Sequence, residues 1–192
     1  QDSSAASDVY KRQIFDVASN NKFYSKIYAD LYKDLIHFYS SLNSILERQI
    51  SSFKSMFEKI EYCDPDKDYE KYCRNNKINE SRRAMTTFIV NLQKLGVIDI
   101  EELFKIIIHL KQISYEMINK EDSKNILCEI TENLFILITE LKNNIKEWNK
   151  DEYDELVNYI INFKSYKVKE YPGLSNKTLF KYMDIHDNLN KI

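Results

Sequence analysis

Apolar side chains recur every three or four positions along most of this chain, the spacing that gathers them on one face of an α-helix. Phe23, Ile27, Leu31, Leu35 and Phe38 form one such stripe; Leu42, Ile45, Leu46, Ile50, Phe53, Met56, Phe57 and Ile60 form a second. Each predicts a helix with these residues turned to the core, with Tyr24, Tyr28 and Tyr32 as an i,i+4 ladder at its boundary. The pattern breaks from Tyr62 to Glu80, where Pro65 disfavours helix at Asp64 and the charged residues have no buried face. A surface loop is expected there, with one short helix around Tyr69 to Cys73.

Periodicity resumes with Met85, Phe88, Ile89, Leu92 and Leu95, and Gly96 stands where a left-handed C-terminal cap would be needed. Asp99 followed by Glu102 is similar to a capping box and opens a helix containing Ile106, Ile107 and Ile108. Because that triplet is apolar on more than one side, this helix is expected in the middle of the stack. Asp122 is expected to cap the next helix, whose stripe runs Ile126, Leu127, Ile130, Leu134, Leu137, Ile138, Leu141 and Ile145. Asp151 precedes another, with Leu156, Val157, Ile160, Ile161 and Phe163. After a turn at Pro172 and Gly173, Asn176 is placed to cap a last helix carrying Leu179, Phe180 and Met183. Roughly eight helices with short connections and wide stripes predict an all-α fold, arranged as an α-solenoid of antiparallel helix pairs.

Composition agrees with this picture: among 192 residues there are only two Gly and two Pro, so long stretches lack helix breakers. The lead Gln1–Gln13 is polar, carries no apolar stripe and resembles an in-frame sequencing-library transposase adapter. It is expected to be non-native and unordered, or a bare extension of the helix holding Ile14, Phe15, Val17 and Ala18. The natural domain then spans 14–192. The net charge of −2 opposes a domain whose whole surface grips nucleic acid. Cys63, Cys73 and Cys128 show no C-x-x-C spacing, which suits reduced thiols in a cytosolic chain. No apolar run approaches the roughly 20 residues of a membrane helix, so a soluble, cytoplasmic protein is expected.

Catalytic chemistry is hard to find in these residues. His37, His109 and His186 lack the companions of a metal motif, and His109, beside Ile108 and Leu110, fits a core or boundary histidine. There is no Gly-rich phosphate loop and no G-x-S-x-G elbow, so neither enzymatic activity nor a cofactor is expected. One stretch stands out: Lys164, Lys167, Lys169, Lys177 and Lys181 surround one interhelical turn, with Tyr166 and Tyr171 between them. Lys164, Tyr166, Lys167, Lys169, Lys177 and Lys181 are the candidate contact residues for RNA or an acidic protein.

Four segments, in order, carry a family resemblance. IFDVASNNKFYSKIYADLYKDL (Ile14 to Leu35) resembles the opening I-F-E-x-A and [FY]-S-x-x-Y-A-x-L-C of the middle domain of eukaryotic initiation factor 4 gamma. FIVNLQKLGVI (Phe88 to Ile98) is similar to its F-I-G-E-L-F-K-L segment. SKNILCEITENLFILI resembles its E-x-L-E-C-L-C helix through Leu127, Cys128 and Ile138. SNKTLFKYMDIHDNL resembles its closing segment through Ser175, Leu179, Met183, Asp184 and Ile185. The family's Gly-Asn reads Ala84-Met85 here, a further Gly reads Val90, and Lys177 and Phe180 stand where arginines are usual. The resemblance implies a HEAT-like fold lacking the family's first helix. It also implies a non-enzymatic translation-initiation scaffold that docks and activates a DEAD-box RNA helicase and touches mRNA. Decay, cap-binding and splicing factors share this domain, leaving a related scaffold of mRNA processing or decay, or a directly RNA-binding helical domain, as alternatives. The abundance of Lys, Asn, Ile and Tyr fits an AT-rich genome, that of a large DNA virus or a protist.

Overall fold

The computed structural model describes residues 2–191, which form eight helices and no strand. These are α1 (Asp2–Ser19), α2 (Ser25–Phe38), α3 (Ser41–Met56), α4 (Tyr69–Lys94), α5 (Ile100–Ile118), α6 (Lys124–Trp148), α7 (Lys150–Lys164) and α8 (Asn176–Leu189). The protein is all-α, as the periodicity predicts.

Chain reversals are set by local chemistry, and not always by the residues expected. Gly96 adopts φ +75°, and the two bonds Gly96 N–H to Gln93 O and Val97 N–H to Leu92 O close a Schellman motif at the end of α4. Asp99 does occupy the position before α5, but its carboxylate makes no capping bond and Glu102 turns instead to Lys105. Asp122 lies one residue early, at φ +60°, and Ser123 precedes α6. Asn149, not Asp151, caps α7 by accepting from the N–H groups of Asp151 and Glu152. Ser175, not Asn176, caps α8 by accepting from Thr178 N–H.

Two expectations for the first half of the chain are corrected. The polar stretch from Tyr69 to Glu80 is helical, forming the first turns of a 26-residue α4. Asp68 accepts from Lys71 N–H at 2.9 Å, and nothing after it breaks a helix, so α4 starts there without an apolar face to bury. From Tyr69 to Ser81 no residue is buried. The stripe of α2 is turned outward: Phe23 is 93% exposed and Leu31 49%, with Ile27 and Phe38 also exposed. The side of α2 that faces the body carries Ser25, Ala29 and Tyr32. Small residues let α2 sit close to α4, where Asn91 Nδ2 donates to Ser25 Oγ at 2.9 Å, while Tyr32 Oη donates to Leu42 O. Of the two outcomes expected for the lead, the structure has the second: it is helical from Asp2 and continues without a break into Ile14–Ser19. It contains no helix breaker, and extending an existing helix is far cheaper than starting one. Its Val9 and Tyr10 are exposed, and Gln1 lies outside the described residues.

The even-numbered helices form a row, α2, α4, α6 and α8, each packed against the next. Contacts along this row ascend together. Arg83 meets Glu129, Thr86 meets Asn133 and Lys94 meets Glu140 between α4 and α6. Between α6 and α8, Glu132 meets Lys181 and Lys142 donates to the carbonyl of Asn188. Helices α4, α6 and α8 therefore run in the same direction. The middle of the stack is α6 rather than the Ile106–Ile108 helix α5, because α6 alone packs against α4, α5, α7 and α8. Leu127, Ile130, Leu134, Leu137, Ile138, Leu141 and Ile145 are accordingly sealed from solvent.

Polar groups interrupt this apolar contact at one place. Thr86 Oγ1 donates to Asn133 Oδ1 at 2.7 Å, and Asn133 Nδ2 donates to Glu129 O and Oε1. Glu129 Oε1 in turn lies 3.6 Å from Arg83 and 4.0 Å from Arg82, whose guanidinium is buried and sits over the Phe57 ring. Burial pushes the Glu129 carboxyl above its ordinary pKa, opposed by the two arginines and the Asn133 bond. Replacing Glu129 with Ala leaves two guanidinium groups unpaired, one of them buried, and should cost about 3–5 kcal/mol. Leu31→Asp, on the outward face of α2, should cost about 0.5 kcal/mol or less. Urea unfolding of the two variants against the parent chain checks both values.

Candidate functional site

The lysine-rich turn between α7 and α8 is held in place by a backbone contact. Gly173 N–H donates to Ile118 O at 3.0 Å, and a Cβ on Gly173 would lie 1.9 Å from Met117 O. Only glycine fits against the end of α5 at this point. Ser123 Oγ donates to Met117 O and Lys120 O and closes the same corner, while Leu174 is fully buried. The turn is thus fastened to a helix terminus, and its side chains are displayed from a fixed base.

The six candidate residues divide between different surroundings. Lys164 Nζ donates to Nδ1 of His186 at 3.1 Å, half-buried between α7 and α8. Tyr166 packs between Phe163 and Tyr171 in tilted arrangements, with ring centroids at 5.3 and 4.7 Å. Lys167 is exposed and 3.7 Å from Glu170; Lys169 is exposed. Lys181 lies over the Phe135 ring and 3.3 Å from Glu132 on α6. Lys177 lines a separate cleft with Cys128 and Glu132. Tyr166, Lys167 and Lys169 therefore share the turn, whereas Lys177 and Lys181 address the α6–α8 contact. Tyr166 and Tyr171 pack against each other at an interplanar angle of 34°, so part of each ring is already covered.

Below the turn is an aromatic cluster that the sequence reading did not pick out. Tyr159 Oη and Tyr182 Oη are 2.6 Å apart, the Tyr182 ring stacks on Phe163 at 4.2 Å, and Tyr115 meets Tyr159 edge-on. The signal was present: Tyr159, Phe163 and Tyr166 are spaced by four and three residues, as are Leu179, Tyr182 and Ile185 by three. The buried polar group between α4 and α6 was missed as well. Arg82 belongs to the stripe Ile78, Arg82, Met85, Ile89 and Leu92, and Asn133 to Ile130, Asn133, Leu137 and Leu141. A polar residue in an apolar register is the visible mark of such a network.

A second surface feature is an apolar groove of about 350 Å³ between α1 and α2, lined by Ile14, Val17, Tyr28, Leu31 and Leu35 among others. Ile27 and Phe38 of α2 are exposed as well. Cys63, Cys73 and Cys128 are free thiols, and burial pushes the Cys128 thiol up while Lys177 draws it down. His109 is half-buried with Nε2 3.6 Å from Glu58 Oε1. Among the described residues no group of three His, Cys, Asp or Glu side chains is placed to hold a metal ion. No helix among them is long and apolar enough to cross a membrane. The fold and this turn thus define a helical array with grooves and a displayed loop. Compared with protein families, with characterised proteins and with solved structures, the chain finds no match.

The phenols give a pH dependence whose sign follows from burial. Burial pushes Tyr32 up to about 12 from its ordinary value of 10, and burial also raises Tyr159 and Tyr182. In the unfolded chain these protons leave near pH 10 and in the folded one later, so the stabilisation is complete below pH 10 and lost above it. Thermal melts followed by circular dichroism should hold level from pH 8 to 9.5 and fall steeply from pH 10 to 12. Tyr182→Phe should make that fall shallower.

Proposed function

We propose that this chain is a non-enzymatic binding scaffold of the initiation factor 4 gamma type, which docks a DEAD-box RNA helicase in the cytoplasm during translation initiation. One observation carries the reading. The four segments that resemble that family lie on α1–α2, the end of α4, α6 and α8, so their even-numbered members are the successive helices of one packed row. Their shared positions include Ser25, Ala29, Leu127, Ile138, Leu179 and Ile185, all buried. These residues support a common way of packing helices, an α-solenoid of paired helices, on which different repeats present surfaces at fixed separation. Such a scaffold activates a two-lobed helicase by binding one relative placement of the lobes better than another, which shifts its population.

The same turn offers RNA a smaller part. Lys167 and Lys169 are its exposed cations, and phosphate contacts through them would make affinity fall with salt. The chain should co-purify with the DEAD-box helicase of the initiation complex and raise its ATPase rate. Lys167→Glu with Lys169→Glu should leave that binding intact and reduce RNA affinity at low salt. Absence of helicase binding in a pull-down would remove the first reading, and unchanged RNA affinity the second.

A further inference from the structure

A groove of about 470 Å³ crosses three helices of the row, lying over α4 between the start of α2 and the middle of α6. Its floor is made by short side chains of α4, Thr87, Val90 and Asn91. Its walls are bulky: Phe23 and Ile27 stand on the α2 side, Phe135 and Ile136 on the α6 side. Phe23, Tyr24 and Ile27 are exposed, yet the backbone that presents them is fixed. Tyr24 N–H donates to Asn21 Oδ1 at 3.0 Å, and Asn91 Nδ2 donates to Ser25 Oγ at 2.9 Å. The hydroxyls in the lining are committed to their own helices, since Thr87 Oγ1 donates to Arg83 O and Thr139 Oγ1 to Phe135 O. Covering the groove therefore strands no hydroxyl donor. Charge enters on one side only. Within the lining two cations, Lys22 and Lys26, stand against one carboxylate, Glu140, which already meets Lys94. Both lysines are exposed, and neither forms an ion pair among the described residues. The start of α2 adds the same sign: its first turn holds no acidic residue and Tyr24 at its N-cap supplies no capping side chain, so the positive end of the helix is unopposed there.

We propose that this groove docks an acidic, apolar segment of a partner protein, with a large apolar side chain seated between Phe23 and Ile136 and neighbouring carboxylates beside Lys22 and Lys26. An apolar floor with charge at one wall is the complement of such a segment, the wall giving orientation and the floor giving contact area. Two observations favour a peptide over RNA. Ile27, Val90 and Ile136 are aliphatic, a surface that seats Leu or Phe but gives a base no ring to stack on. Two lysines on one wall suit one or two carboxylates, whereas a strand's run of phosphates would leave them behind and approach Glu140. A second copy of the chain fits less well, because a two-fold contact sets the same patch against itself and the unpaired charges of this patch are all positive. The groove is separate from the Tyr166–Lys169 turn and stands whether or not a helicase is the scaffold's partner.

The test selects peptides on the full chain from a displayed library of random twelve-residue sequences and titrates the enriched ones by fluorescence anisotropy. The expected peptides carry Asp or Glu within a few positions of Phe, Leu or Trp, and in ¹⁵N spectra they shift the amides of Thr87, Asn91 and Thr139. Phe23→Ser, and separately Lys22→Glu with Lys26→Glu, should each weaken them roughly tenfold or more at an unchanged melting temperature. Lys167→Glu with Lys169→Glu, the same reversal of charge at the other site, should leave their affinity unaltered. Failure to enrich any peptide, enrichment of basic sequences, equal affinity in the groove variants, or an equal loss in the turn variant would each overturn the proposal. So would oligouridylate shifting the same amides at lower concentration than the peptides, or a dimer in sedimentation that Phe23→Ser abolishes.

Discussion

The Thr86–Asn133–Glu129–Arg82 contact fixes how α4 lies against α6, and the rest of the row is built on that contact. Leu and Ile ridges pack almost equally well when one helix slides by a turn, about 5.4 Å, past its neighbour. A buried amide and carboxylate do not slide, because displacement by a turn would leave several polar groups without partners inside an apolar interface. With α4 and α6 in register, Lys94 reaches Glu140 at one end and Arg83 reaches Glu129 at the other. Arg83, which lines the cleft beside this contact, is positioned by the same network that aligns the helices.

Much of this architecture is legible in the sequence because the second half of the chain obeys one rule. In α6 every apolar residue of the stripe except the half-buried Ile126 is buried, and in α4 the Gly96 cap stands where periodicity ends. The rule fails where a helix is packed by small or polar residues. In α2 the most apolar face is not the inward one, since Ser25 and Ala29 allow the close approach to α4 that Phe23 or Ile27 would prevent. In α4 the stretch from Tyr69 to Glu80 has no apolar face and yet is helical, because a cap and ordinary helix formers suffice next to an anchored continuation. Helix starts were misplaced by one or two residues wherever several capping side chains stood together, as at Asn149 and Asp151 or at Ser175 and Asn176.

The lysine cluster shows a different limit. Nearness in sequence gathered six residues around one turn, but α8 leaves that turn along α6 and carries Lys177 and Lys181 with it. What stays at the turn is Tyr166, Lys167 and Lys169, seated on α5 through Gly173. Spacing along a helix predicts which side chains share a face; it does not say which neighbouring element that face meets. The missed polar network has the same origin, since Arg82 and Asn133 are far apart in sequence and gain meaning only when their helices are placed side by side.

Helix α4 is anchored along its second half and carries no buried residue from Tyr69 to Ser81. In such a helix the backbone hydrogen bonds do not break together: the outer turns open and reclose many times for each opening of the inner ones. Amide hydrogen exchange should therefore grade along α4, fast near Glu70 and slow near Ile89. Asn76 and Asn79, which line the cleft shared by Lys177, Cys128 and Glu132, lie on the fast part, while Glu129, which lines it from α6, is buried. The cleft thus has one compliant side and one rigid side, and a change in its width costs a few turns of helix rather than the stability of the whole protein.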